Sequence, residues 1–184
     1  MKPNQKPRLC KTDWLLAGLE SLANDGPDAL KASRLARNLG VTTGSFYWHF
    51  ASLADFRTEL LLYWREEIVV GLIRTAKGRA KEPSQVLPEI RKLILASGAH
   101  RYDAAMRSWA RTDPQVRDTV GRADEVRATF LVETLRNSGM SEEDARDRAT
   151  LIGAAWRGSQ GPESPDYRMK LVGLAALGPD PGRR

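Results

Sequence analysis

The chain has 184 residues, a formal net charge of +6 and a single cysteine. This length is enough to bury one core without disulfides, and the sequence has no run of about 18 apolar residues that could span a membrane. Leu and Ala are frequent and β-branched runs are absent, which predicts an all-α protein. Because the first residues lack the apolar segment of a secretory signal and Cys10 cannot form an internal disulfide, we expect a cytoplasmic protein.

A basic arm is predicted at the N-terminus. Residues 1–11 contain no acid and carry the basic side chains Lys2, Lys6, Arg8 and Lys11. Such an arm is typical of a segment that lies on a polyanion, although a solubilising disordered tail has the same composition. A first helix is then predicted from Thr12 or Asp13, either of which can cap it, to about residue 24.

Two short helices joined by a glycine follow the first helix. They are predicted over residues 33–39 and 43–50. Gly40 suits the left-handed backbone that ends a helix. Ala36 is small where the two helices must cross, and Phe46 is large where the second helix must enter the core. These requirements are those of a helix-turn-helix.

The second of these helices carries a run of rings at residues 46–50. On a helix capped by Thr42, Phe46 and Phe50 share the inward face, while Tyr47 and Trp48 point away from the core. A helix of this size fits the major groove of DNA, where rings contact sugars and thymine methyls. We therefore interpret it as a recognition helix. The alternative is that Tyr47 and Trp48 are buried beneath later helices.

The remainder of the chain is predicted to be helical. A long helix from Ser52 to about Ala80 has an apolar residue at every fourth position and ends before Pro83. Ser141 with Asp144 forms a plausible capping start. Further helices are predicted over residues 84–98, 101–111, 114–137, 141–159 and 165–177, followed by a frayed tail at 179–184.

The stretch LKASRLARNLGVTTGSFYWHFASLADFRTELL, residues 30–61, resembles the helix-turn-helix of the tetracycline-repressor (TetR) family of bacterial transcriptional regulators, whose motif commonly ends in a Tyr-x-His/Tyr-Phe run. The segments SWARTDPQVRDTV and SGMSEEDARDRATLIGAAWRG resemble the family's ligand-binding half more loosely. The resemblance implies a dimeric, all-helical repressor of palindromic operators. Its expected parts are the arm (1–11), a helix-turn-helix DNA-binding domain (12–55, motif about 31–50), a ligand-binding and dimerisation domain (56–178) and the tail (179–184).

The resemblance also implies which residues contact DNA. Thr43, Gly44, Ser45 and Trp48 would face base edges; Thr42, Tyr47 and His49 would hold phosphates, with Ser33 or Arg34 at the flank; Arg8 and Lys11 would lie on the neighbouring backbone or in the minor groove. One residue departs from the family pattern, because Leu53 stands where a lysine is usual. That phosphate contact is either missing or supplied from elsewhere, for example by Arg57.

A small-molecule effector and a second copy of the chain are the expected partners besides DNA. The candidate pocket residues, of types that more often pack in a core than contact a ligand, are Trp64, His100, Tyr102, Met106, Trp109, Phe130 and Trp156. The candidate dimer stripes, which could instead pack within one chain, are Ala145, Ala149, Ile152 and Trp156, and Leu171, Leu174 and Leu177. A ligand lowers DNA affinity only if it binds more tightly to the conformation in which the spacing of the two recognition helices does not fit DNA.

Two other classes of function compete with this interpretation. An enzyme is disfavoured, because the sequence contains no Gly-rich phosphate loop, HExxH or GxSxG motif and too few Cys and His for a zinc site. We therefore predict no catalytic residue, no metal and no cofactor. The alternative is a sequence-indifferent nucleic-acid-binding protein without an effector. The lack of Lys and Arg between Gly40 and Ala51 favours base reading over that alternative.

Overall fold

The computed structural model describes residues 9–158, and in this range every regular element is a helix. The prediction of an all-α protein is confirmed. The predicted helix at 165–177 and most of the basic arm, including Arg8, lie outside the described residues. The helices are α1 (Lys11–Asp25), α2 (Ala32–Asn38), α3 (Thr43–Tyr47), α4 (Leu53–Tyr63), a π-helical segment (Trp64–Val70), α5 (Gly71–Arg79), α6 (Val86–Ser97), α7 (Ala99–Trp109), α8 (Pro114–Asn137) and α9 (Glu142–Gly158).

Helix α1 begins earlier than predicted. Cys10 is its N-cap, and the backbone N–H of Cys10 donates to a carboxylate oxygen of Asp13 at 2.7 Å. This backbone hydrogen bond lowers the pKa of Asp13 below its usual value. Neither Thr12 nor Asp13 is therefore the N-cap. Asp13 lies in the first turn of the helix, and its carboxylate accepts the hydrogen bond from the N-cap residue. Lys11 belongs to the helix and not to the arm.

The turn between α2 and α3 is built as the sequence predicts. Gly40 has a φ of 67°, in the left-handed region. Its N–H donates to the carbonyl of Arg37, and the N–H of Val41 donates to the carbonyl of Ala36, so the last carbonyls of α2 are satisfied. Helix α3 is shorter than predicted and ends at Tyr47, and the Thr42 side chain at its N-cap makes no capping hydrogen bond.

Four aromatic rings form the core of this N-terminal unit. The ring of Phe46 lies 5.4 Å from that of Trp14 on α1, 5.3 Å from Phe56 on α4 and 5.1 Å from Phe50. All four side chains are almost completely buried. Aromatic pairs at such separations contribute about 0.5–1.5 kcal/mol each beyond their buried area, so they fix the rotation of α3 about its axis.

The helix that leaves the N-terminal unit is continuous but not uniform. Ser52 caps α4 by accepting from the N–H of Asp55 at 3.0 Å. The predicted helix 52–80 is interrupted by the π-helical segment, after which the N–H of Gly71 donates to the carbonyl of Glu66, five residues back. The four-residue apolar repeat does not reveal this change, because it fits both hydrogen-bond patterns over so short a stretch.

The C-terminal helices form the larger half of the described chain. Helix α9 begins after Ser141, whose hydroxyl accepts from the N–H of Asp144 at 3.1 Å as predicted, and it packs along α8. The stripe Ala145, Ala149 and Ile152 is buried within this one chain. The sequence predicts this stripe as a dimer surface. That prediction is wrong for these three residues, because the apolar stripe of an amphipathic helix packs against its neighbour in the same chain. No helix among residues 9–158 is both long and apolar enough to cross a membrane.

Gly18 sets the distance between α1 and α4, and replacing it provides a test of this packing. A Cβ at Gly18 would lie 2.6 Å from the ring of Phe56 and 3.1 Å from a methyl of Leu60. We expect Gly18→Ala to lower the free energy of unfolding by about 1–3 kcal/mol, because overpacking outweighs the gain in helix propensity. The measurement is the urea midpoint of unfolding.

The matched control is Gly121→Ala in α8, where the added Cβ meets nothing within 4 Å. It should raise stability by up to about 1 kcal/mol, as expected for an exposed helical glycine. A stabilising Gly18→Ala would contradict the close approach of the two helices.

Candidate DNA interface and ligand cavity

The outward side of α3 exposes its largest rings. Trp48 is 81% exposed and Tyr47 56% exposed, although both are adjacent to buried phenylalanines. Thr42, Thr43 and Gly44 are exposed beside them and Ser45 is half-buried. The structure thus excludes the alternative in which Tyr47 and Trp48 are sealed under later helices. It brings hydroxyl groups, a bare glycine and two rings together on α3 and on the residues directly before and after it.

Two further candidates at this surface already have partners within the chain. Lys11 pairs with Glu59 of α4, and its Nζ lies 5.3 Å from the centre of the Phe50 ring. His49 is half-buried, with its ring 6.4 Å from that of Trp14. Lys11 is therefore anchored at the junction of α1 and α4, and His49 covers the edge of the aromatic core.

The candidates on α2 and α4 differ in how they are held. Ser33 is exposed, and Arg34 donates to Asp25 at 2.7 Å. Leu53, at the position where a lysine was expected, packs partly buried against the core. The Nε of Arg57 on α4 is buried and has no hydrogen-bond partner among the described residues.

A cavity of about 410 Å³ lies between the π-helical segment, α5, α6, α8 and α9. Its size is that of a site for a small organic molecule, and most of its walls are aliphatic or aromatic. Three of the predicted pocket residues line it, namely Trp64, Phe130 and Trp156. Ala149 and Ile152, predicted for the dimer surface, line it as well.

Four other predicted pocket residues, all on α7, lie elsewhere: His100, Tyr102, Met106 and Trp109 do not line this cavity. Tyr102 instead donates its hydroxyl to Glu20 of α1, and burial followed by this hydrogen bond raises the pKa of Tyr102 to about 12. Met106 is completely buried as core. These residues lie away from the cavity because α7 packs on α1. The aromatic composition of a helix does not show which of its faces meets a cavity.

The polar end of the cavity is a network of charged side chains centred on Asp103, which is only 4% exposed. Its carboxylate accepts from Trp156 Nε1 at 2.8 Å, from Arg107 Nε at 2.8 Å and from Arg127 at 2.6 Å. Asp124 accepts from both arginines on the other side. The guanidinium carbon of Arg127 also lies 5.5 Å from the Trp64 ring and 5.9 Å from the Trp156 ring.

This network is electrically balanced. Burial by itself would raise the pKa of Asp124, but hydrogen bonds and charge from Arg107, followed by Arg127, outweigh it and hold that pKa below its usual value. Burial by itself would lower the pKa of Arg107, but hydrogen bonds and charge from Asp124 and Asp103 outweigh it and raise that pKa. Asp124 and Arg107 are therefore ionised at neutral pH. The sequence prediction missed Asp103, Asp124 and Arg127, and the local signals were the Asp103–Arg107 spacing of four residues and the Asp124–Arg127 spacing of three.

Comparisons with known proteins agree with this arrangement. The sequence model of the tetR family of bacterial regulatory proteins matches residues 15–60. A transcriptional regulator from Rhodococcus sp. Rha1 has a similar fold, with a TM-score of 0.67 and 18% identity, covering 91% of this chain and 94% of that one. A TetR-family regulator from Agrobacterium tumefaciens gives 0.64 and 15%, covering 90% and 93%.

The transcriptional regulator FadR from Bacillus subtilis, solved in complex with stearoyl-CoA, gives a TM-score of 0.58 and 15% identity, covering 91% of this chain and 96% of that one. Comparison of the sequence with curated proteins finds no match. The described chain has an N-terminal helix-turn-helix followed by a larger helical part, and its fold is similar to that of these transcriptional regulators. The match to the tetR family covers residues 15–60, which include the helix-turn-helix, and the fold of the described chain is similar to that of TetR-family regulators.

Asp103 should be essential for stability. We expect Asp103→Ala to lower the free energy of unfolding by about 3–5 kcal/mol, because it removes the buried carboxylate that accepts from two partly buried arginines and from the Trp156 indole N–H, and leaves Asp124 facing both arginines. Urea unfolding followed by circular dichroism gives the value. Asp118→Ala removes an exposed acid from α8 and is the control. Equal effects of the two substitutions would show that the Asp103 network does not hold α7, α8 and α9 together.

Proposed function

We propose that the protein is a ligand-responsive repressor that acts in the cytoplasm, binding a palindromic operator as a homodimer through α3. The observation that carries this proposal is the exposure of Trp48 and Tyr47 on a helix whose orientation is fixed by buried Phe46. Exposed rings of this size are unfavourable in water unless they have a partner.

The chemistry of α3 suits base reading. Trp48 and Thr43 can contact base edges and thymine methyls, and Gly44 allows the helix backbone to approach the groove closely. The hydroxyls of Thr42 and Tyr47 can donate to phosphates, and Thr42 makes no capping hydrogen bond that would compete. Within residues 40–51 no cation supplies a sequence-independent attraction. These features support specific recognition over indifferent binding.

Dimerisation follows from the form of the proposed operator. Two recognition helices read a palindrome when they lie about 34–36 Å apart across a two-fold axis. Since Ala145, Ala149 and Ile152 are used inside the chain, a second copy must contact another face. Leu151 on α9 is 63% exposed and belongs to such a face. The stripe Leu171, Leu174 and Leu177 lies outside the described residues and remains part of the proposal.

The cavity supports control by an apolar small molecule. It is bounded by Trp64 and Ile68 of the π-helical segment, which continues directly from α4 and hence from the DNA-binding unit. A ligand that favours one position of this helix also favours one spacing of the two α3 helices. That FadR, a protein of similar fold, was solved with stearoyl-CoA supports a ligand with a long apolar part.

Selection of bound duplexes from a random pool tests the DNA and dimer proposals together. We expect the recovered sequences to share a palindrome with half-sites about one helical turn apart. The selected duplex should then bind at least about a thousandfold more tightly than a scrambled one at physiological salt. Recovery of no common sequence, with equal and steeply salt-dependent affinity for both duplexes, would support the sequence-indifferent alternative.

Tyr47→Ala should reduce affinity for the selected duplex by about tenfold or more, because both the ring and its phosphate contact are lost. Tyr47→Phe, which keeps the ring, should have a smaller effect. Fluorescence anisotropy measures the affinity, and circular dichroism should show an unchanged helical content, since Tyr47 is exposed. Leu62→Ala on α4 removes another exposed side chain and should leave affinity unchanged. If Tyr47→Ala binds like the unaltered protein, α3 is not the DNA-binding element.

A further inference from the structure

A second concave space, an open groove of about 450 Å³, lies where the end of α7 meets the first half of α8. Ala110 and Val120 are buried at its base. The rest of its lining is arginine: Arg107, Arg111, Arg117 and Arg157. We refer to this space as the arginine groove. Nothing in the proposed DNA interface or in the apolar cavity requires it.

Hydrogen bonds hold two of the groove's arginines, and among residues 9–158 only one arginine of the groove pairs with a carboxylate. Arg117 donates to the backbone carbonyl of Ala110 at 3.2 Å, and Arg111 donates to the hydroxyl of Ser108 at 3.1 Å. Arg107 alone pairs with carboxylates. Within residues 9–158, Arg111, Arg117 and Arg157 form no ion pair. Their mutual repulsion makes the groove a strong attractor for an anion.

The chemistry of the groove points to phosphate. A guanidinium is planar and offers two parallel N–H donors, which can bond to two oxygens of a phosphate or of a carboxylate. The two anions differ in charge. A phosphate monoester carries a charge of about −1.5 to −2 at neutral pH, against −1 for a carboxylate. Three guanidiniums around one groove therefore favour a phosphate group over a carboxylate.

The arginine groove and the apolar cavity are adjacent. Arg157 lines both spaces. Arg107, which lines the groove, donates through Nη1 at 2.9 Å to Asp124, which lines the cavity. Arg157 and the Arg107–Asp124 ion pair thus connect the linings of the two spaces. Because Asp124 is already neutralised by Arg107 and Arg127, it does not repel an anion that enters the groove.

We propose that the arginine groove binds the phosphate head of the ligand whose apolar chain fills the cavity, so that the effector is a phosphate-bearing amphiphile. This inference rests on the proposed function of the cavity as an effector site. It assigns the head-group contacts to Arg111, Arg117 and Arg157. The chain would lie against the apolar walls near Trp64 and Phe130.

Isothermal titration calorimetry with three probes of equal chain length, all below their micellar concentrations, tests the proposal. Decyl phosphate should bind at least about tenfold more tightly than 1-decanol, the gain expected from one or two charge-assisted hydrogen bonds, and more tightly than decanoate. In the variant Arg111→Gln/Arg117→Gln the affinity for decyl phosphate should fall about tenfold, while that for 1-decanol stays the same. Higher salt should weaken the binding of decyl phosphate and leave that of uncharged 1-decanol unchanged.

The matched control is Arg122→Gln, which removes an exposed arginine of α8 that lines neither space. It should leave the affinity for decyl phosphate unchanged. Equal binding of decyl phosphate and 1-decanol, or an unaltered affinity in the double variant, would overturn the groove assignment while leaving the cavity as an effector site. Decanoate binding as tightly as decyl phosphate would overturn the phosphate assignment. If none of the probes binds, the proposed effector site itself fails, and the groove assignment with it.

Discussion

The burial of Phe46 determines what the helix-turn-helix can expose. Helix α3 has five residues, too few for its own hydrogen bonds to keep it helical in water. Its geometry is fixed from outside, by the rings of Trp14 on α1 and Phe56 on α4, each within 5.4 Å of the Phe46 ring. With Phe46 held there, Tyr47 and Trp48 must point outward. The exposed surface of α3 is thus a consequence of the core beneath it.

The same core ties the DNA-binding unit to the rest of the chain. Gly18 lets α1 approach α4 so closely that a methyl group would clash with Phe56. Two residues further along α1, Glu20 accepts from the hydroxyl of Tyr102 and from Arg101 of α7. The unit is therefore joined to the larger half both by the continuous helix 53–79 and by a separate side-on contact. A displacement of α7 would act on α1 without passing through α4.

Features with a local cause were predictable from the sequence, and features made by distant contacts were not. Gly40 and the spacing of Phe46 and Phe50 identify the helix-turn-helix, because turn conformation and helical period depend on neighbouring residues. The Asp103 network joins residues up to 53 positions apart, so the local spacings indicate single ion pairs and not the network as a whole. The aromatic content of α7 correctly indicated buried side chains, but it could not distinguish packing against α1 from lining a cavity. The π-helical segment likewise has no sequence signal that the apolar repeat reveals.

The balance of the Asp103 network limits how an effector can act. Arg127 already donates to both Asp103 and Asp124, and its guanidinium carbon lies 5.5 Å from the Trp64 ring. A ligand anion that recruited Arg127 would have to break a charged hydrogen bond costing about 1.5–3 kcal/mol, and would gain one of similar strength in return. A contact between a ligand anion and Arg127 therefore adds little net affinity. A ligand therefore gains more by burying apolar surface against Trp64, at the start of the π-helical segment, and by placing its charge on arginines that pair with no carboxylate within residues 9–158.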